Sequence, residues 1–152
     1  MITVNLVCVG NLKEKFWVEA QNEYIKRLQK FCKFNVIEVE EKNVASTPKD
    51  ILQKEEKLIL EKCKGSVILF DVQGEAISSE QFSQFIQKSS LLNSTLTFVI
   101  GGSYGVGDGV KKAADKKLSF GKITLPHNLA RIVAIEQIYR AFNIAAGTSY
   151  HK

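Results

Sequence analysis

Apolar positions along this chain recur in two alternating rhythms. Met1–Val9 is rich in Val and Leu and alternates loosely, which predicts a strand ended by Gly10. Phe16, Trp17, Ala20, Tyr24, Leu28 and Phe31 fall at helical spacing and predict a helix from Phe16 to Phe31. Lys33–Val39 carries Phe34, Val36, Ile37 and Val39 and predicts a second strand. Lys42 to Pro48 reads as a polar linker, with Thr47 as N-cap and Pro48 at the first helical position, where a missing N–H is harmless. A charged amphipathic helix is predicted over Asp50–Lys64, built on Ile51, Leu52, Leu58, Ile59 and Cys63 and stopped by Gly65.

The run Ser66–Val72 is mostly apolar, as expected of a strand buried on both faces, with Gln73-Gly74 turning the chain. Ser78 and Gln81 form a capping box for a helix through Lys88. Leu96–Ile100 is another buried strand that runs into the glycine-rich stretch Gly101–Gly109. A short helix is predicted over Val110–Lys117, an extended segment over Leu118–Leu125, and a final helix over Asn128–Ala146, closed by Gly147. Strands alternating with helices predict an α/β fold, a mainly parallel sheet with helices on both faces. With 152 residues and no repeat or composition break, one domain over 1–152 is expected.

Composition narrows the class. Hydrophobic residues make up 45% and charged residues 24%, the balance of a soluble globular protein. No run approaches the roughly 20 apolar residues of a membrane helix. The apolar amino terminus lacks the basic leader and cleavage site of a signal peptide, so it reads as a buried strand and the expected location is the cytoplasm. Cys8, Cys32 and Cys63 are scattered, in no CxxC pair, and read as reduced, buried thiols. A net charge of +5 is compatible with a polyanionic partner.

The chemistry concentrates in the second half. Five of the ten glycines fall between Gly101 and Gly109, directly after a strand, where open sheets bind ligands. A phosphate-binding reading fails in detail: Asp108 stands where a GxxxxGK[ST] loop needs lysine, and Gly105, Gly107 and Gly109 give GxGxG in place of GxGxxG. An acid without a base in the loop suits a ligand without phosphates. No Cys, His and Asp set has zinc spacing, so no metal is expected. His127, after Pro126, reads alone as a structural or capping residue. Arg140 lies in a mostly apolar stretch and calls for an anionic partner, which Glu136 can supply at i−4. The tail Tyr150-His151-Lys152 offers a ring, a titratable base and a cation in succession.

Taken together, these pieces form an ordered set. Phe98-Val99-Ile100-Gly101-Gly102-Ser103-Tyr104-Gly105, Leu118-Ser119-Phe120, Thr124-Leu125-Pro126-His127, Arg131, Glu136 to Ala141 and the terminal Tyr150-His151-Lys152 resemble the RlmH family of methyltransferases along the whole chain. The resemblance implies a SPOUT fold with a carboxy-terminal trefoil knot, a homodimer, and S-adenosyl-L-methionine as methyl donor. It implies methylation of N3 of a pseudouridine in helix 69 of 23S ribosomal RNA on the assembled ribosome.

Carried over by position, the donor pocket comprises Phe70, Gly101, Phe120, Gly121, Lys122, Ile123, Thr124 and Leu125, with Gly102 and Gly105 completing the glycine wall. His151 is the expected general base, Arg140 the stabiliser of charge on a carbonyl oxygen, and Tyr150 the residue that stacks on or orients the base. The chain departs from the family pattern at Phe70, where Leu is common, at Glu75 (Lys) and at Ser149 (Pro). Glu75 is expected to weaken a local basic contact, and Ser149 to leave the tail more mobile.

Overall fold

The computed structural model describes residues 1–41 and 47–152, so the linker expected over Lys42–Pro48 lies outside the described residues apart from Thr47 and Pro48. The elements are β1 (Thr3–Val9), α1 (Lys15–Leu28), β2 (Lys33–Val39), α2 (Pro48–Lys62), β3 (Ser66–Ala76), α3 (Ser79–Leu92), β4 (Thr95–Ile100), α4 (Asp108–Ala113), β5 (Lys116–Ser119) and α5 (His127–Ala146). The strands form one parallel sheet in the order β2-β1-β4-β3-β5.

The continuous apolar runs of β1 and β4 follow from burial on both faces. Val4, Leu6, Cys8, Leu96, Phe98 and Ile100 point to a core that includes Leu28 of α1, Phe82 and Ile86 of α3, and Ala134, Ile135 and Ile138 of α5. Val7, Val9 and Val99 point the other way, to Ile59 of α2 and Val110 of α4. Period-two alternation thus serves two apolar layers. Cap chemistry sets the helix starts: Thr47 Oγ1 accepts from Asp50 N–H at 3.2 Å, and Ser78 with Gln81 makes the capping box.

Three boundaries depart from the sequence pattern. The strand expected to turn at Gln73-Gly74 continues to Ala76, with a register shift between Phe70 and Glu75. Gly74 serves close approach and not a turn: a Cβ there would meet the Leu118 backbone at 2.7–2.8 Å. The helix expected over Val110–Lys117 runs from Asp108 to Ala113, and Lys116 and Lys117 already pair with Ile68 and Leu69. The extended segment expected to Leu125 therefore keeps ladder pairing only to Ser119. Asp115 anchors that crossing, its carboxylate accepting from Val67 N–H at 2.8 Å. Smaller shifts end α1 at Leu28 and carry α3 on to Leu92.

Arg131 on α5 is fully buried. Its guanidinium donates to Glu38 at 2.6 Å, to Gln21 at 3.3 Å and to the Gly10 carbonyl at 3.1 Å. One cation thereby ties the last helix to α1, β2 and the end of β1. Cys8 and Cys32 are buried free thiols, as expected, while Cys63 is only partly so. Among the described residues, no helix is long and apolar enough to cross a membrane.

Candidate functional site

The middle of β3 and the carboxyl end of β4 open into a cleft of about 360 Å³, walled by Phe70, Ile100 and Leu125 and floored by the glycine loop. The loop is a tight hairpin: Gly105 N–H donates to Gly102 O at 3.0 Å, and Gly105 sits at φ +80°. A Cβ on Gly101 would lie 2.4 Å from the Gly105 carbonyl oxygen, so the turn closes only over glycine. Gly101, Gly102 and Gly105 all line the cleft. The groups at its rim are Asp71, Lys111 and His127, the last at the start of α5.

A smaller cavity of about 110 Å³ adjoins it across Phe70, bordered by Phe120, Gly121, Ile123, Thr124 and Leu125. Ser119 holds this turn: its hydroxyl accepts from Gly121 N–H at 3.0 Å and donates to Gly121 O at 2.8 Å. Lys122 is exposed and lines none of these spaces. Beyond Phe120, a third space of about 310 Å³ reaches Ser79 and Gln137. The group implied at this site, S-adenosyl-L-methionine, fits the walls on three counts. Glycines leave backbone accessible, apolar side chains offer faces for an adenine, and Asp71 with Lys111 and His127 offers both charges for an amino-acid end.

The carboxy-terminal residues form a second cluster. Gly147, at φ +68°, turns the chain back along α5. Thr148 fixes the turn, its N–H donating to Asn143 O at 3.1 Å and its hydroxyl to Asn143 Oδ1 at 2.7 Å. Tyr150 then packs edge-on against Tyr139 with centroids 4.8 Å apart, and its hydroxyl donates to Glu136 at 2.9 Å. The tail is therefore docked on α5, with Ser149 in the turn where the family commonly has proline.

Arg140 lies 4.8 Å over the Tyr150 ring and donates to Glu136 through Nη2 at 2.9 Å and Nε at 3.4 Å. Its Nη1 lies 3.1 Å from His151 Nδ1, and His151 Nε2 lies 2.8 Å from Glu80 Oε1. A guanidinium only donates, so Nδ1 is the acceptor and the imidazole proton on Nε2 goes to Glu80. Burial, reinforced by the Glu136 bond, pushes the Tyr150 phenol up to about 12. The His151 bond holds the Glu80 carboxyl below its usual range, and Glu136 holds Arg140 more firmly protonated.

The comparisons with known proteins agree with one another. A family model described as a predicted SPOUT methyltransferase matches residues 2–151. The ribosomal RNA large subunit methyltransferase H of Clostridium acetobutylicum is 46% identical, over 99% of this chain and 100% of the relative. Its namesake from Clostridium botulinum strain Okra is 45% identical over the same shares. The chain belongs to the SPOUT methyltransferase family. A solved probable methylase family protein from Haemophilus influenzae Rd KW20 shares the fold, with a TM-score of 0.55 at 10% identity over 99% of this chain and 70% of that one.

As a SPOUT methyltransferase of the RlmH group, the chain gathers its sequence-marked residues in two places. Phe70 and the glycine loop line the cleft, with most of 120–125 around the smaller cavity beside it; Arg140, Tyr150 and His151 meet at the tail. Arg140 stands three and a half turns beyond His127 on α5, about 20 Å of helical rise. Sequence reasoning missed Glu80, whose position in the first turn of α3 marks it only as a good helix starter. It also missed Arg131 as a buried tie, and Gln137, which accepts from Ser79 at 2.8 Å and donates to Glu136 at 3.0 Å. Glu75 forms an ion pair with Lys116 across β3 and β5, and so has a basic partner of its own.

Proposed function

We propose that this methyltransferase transfers a methyl group from S-adenosyl-L-methionine to N3 of a pseudouridine in helix 69 of 23S ribosomal RNA, on the assembled ribosome and in the cytoplasm. The observation that carries the reading is a glycine-walled cleft and a base-and-cation cluster at the two ends of one helix, α5. The names of the 46% and 45% identical relatives support the ribosomal substrate.

The donor would rest on the backbone of Gly101, Gly102, Gly105, Phe120, Gly121 and residues 123–125, with Phe70 as an apolar wall and Lys122 outside the cavity. Bound there, its sulfonium supplies an electrophilic methyl carbon. His151 takes the N3 proton, Arg140 stabilises charge on the flanking carbonyl oxygen, and Tyr150 orients the base. Arg140 lies about 20 Å along α5 from His127 at the cleft, which supports a homodimer in which the tail of one copy meets the cleft of the other. Residues 1–152 act as one SPOUT unit in this reading. A trefoil knot, which the family resemblance implies, belongs to it as well.

A net charge of +5 gives weak affinity for free RNA, so recognition needs the shape of the ribosome. The test is transfer from labelled donor to whole ribosomes, with the modified nucleoside identified by mass spectrometry. Equal activity on a short naked hairpin contradicts the ribosomal substrate, and a different product contradicts the N3 assignment.

A further inference from the structure

We propose that Glu80 is a positioning residue for methyl transfer: it holds His151 as the Nε2–H tautomer, so that Nδ1 and the neighbouring Arg140 N–H form one acceptor–donor edge for an imide. The inference rests on the tail reading above and adds to it a residue and a specificity.

Each atom of the edge is set by a carboxylate behind it. Glu136 takes Nε and Nη2 of Arg140 and leaves Nη1 to face the tail. Glu80 accepts from His151 Nε2 at 2.8 Å, and a carboxylate that only accepts selects the tautomer with its proton there. Nη1 and Nδ1 then face each other across 3.1 Å, one a donor and the other a lone pair. Until substrate arrives they satisfy each other.

An imide carries the complement: an N–H donor beside a carbonyl acceptor. On binding, the Arg140–His151 bond is exchanged for two, N3–H to Nδ1 and Nη1–H to the carbonyl oxygen. A cytosine, whose N3 is a bare acceptor, would set lone pair against lone pair and leave the Arg140 and His151 groups unpaired in the complex, which is how polar sites reject near-isosteres. The opposite tautomer would oppose two donors and invert the preference. The proton transfer balances simply. The N3–H bond breaks, its electron pair stays on nitrogen, and the proton goes to Nδ1, leaving an imidazolium backed by the Glu80 carboxylate.

The groups facing His151 are Glu80 of α3, Glu136 and Arg140 of α5 and Tyr150 beside it in the tail, with Tyr24 and Arg27 of α1 behind the tyrosines. Glu80 is an exposed side chain on the rim of α3, so its replacement leaves the core intact.

The test uses the full chain, donor and whole ribosomes. Glu80→Ala is expected to lower kcat by about 2- to 5-fold, the worth of one solvent-exposed charged pair, with KM for ribosomes little changed. The acid limb of kcat/KM should move to lower pH, because the imidazolium loses its carboxylate. Glu80→Gln, which can still accept from Nε2, should recover part of kcat while the limb stays displaced. Nitrogen-15 spectra of His151 read the tautomer directly, with Nε2–H expected in the parent and a mixture in Glu80→Ala. Full activity of His151→Ala would overturn the tail reading itself. An inactive His151→Ala beside a Glu80→Ala variant with parental kcat, acid limb and tautomer would overturn the role of Glu80 alone.

Discussion

Phe120 lies nearly face to face on Phe70, with ring centroids 4.7 Å apart and planes within 17°. Phe70 is itself stacked on Phe98 at 5.8 Å, so the loop after β5 leans on a ring anchored in the sheet. Phe70→Leu keeps an apolar wall and removes the stack. Donor affinity by calorimetry is expected to change by no more than about tenfold, the worth of one aromatic pair. Amide exchange across residues 120–125 should accelerate. A larger loss of affinity with unchanged exchange would mean that the Phe70 ring itself grips the donor.

Gly101 tests the backbone cradle. A side chain there meets the Gly105 carbonyl and the Val106 side chain, so the hairpin must open. Gly101→Val should abolish detectable donor binding in calorimetry while the far-ultraviolet circular dichroism stays that of the parent. Normal binding would place the donor elsewhere.

The tail has a structural share as well as a chemical one. Tyr150 packs on Tyr139 and bonds to Glu136, so deleting Tyr150 to Lys152 should lower stability by about 1 kcal/mol, read from denaturant unfolding. Methyl transfer to ribosomes should fall by about 10²-fold or more, with donor affinity retained. Arg140→Ala should impair transfer too, judged against Glu136→Ala because the two residues are paired. Undiminished transfer by the truncated chain would end the case for a tail that does chemistry.

The buried thiols give a pH signature. Burial pushes Cys8 and Cys32 up to about 12 from an ordinary value of 9.0. Folding therefore favours the neutral thiol. That contribution is full below about pH 9 and declines as pH rises towards about 12. At pH 8 an alkylating reagent should modify Cys63, which is only partly buried, before Cys8 or Cys32. Prompt reaction of Cys8 in the native protein would contradict its burial.

The sheet was legible wherever burial leaves a long apolar run. Val4–Val9 and Leu96–Ile100 announce central strands, and Ser78 with Gln81 announces a helix start. Reading failed where a residue serves a distant neighbour. Gly74 has the composition of a turn, but its lack of a side chain admits the β5 backbone, which no local pattern encodes. Lys116 and Lys117 look helical until the Asp115 anchor on Val67 directs them into the sheet. In the candidate site, the residues of the glycine loop and the tail were visible as motifs. Glu80 was not, because its partner His151 is 71 positions away.

The Arg131 tie has a consequence for how the chain is made. Its acceptors Gly10, Gln21 and Glu38 are synthesised first, and the guanidinium follows 121 residues after Gly10. At roughly 5–20 residues per second, the interval is on the order of ten seconds. Strand β1 meanwhile waits for β4, which must slot in beside it from late in the sequence. During translation, then, the nascent amino-terminal third presents an apolar strand with one open edge, and the protein is most exposed to aggregation before its own last helix arrives.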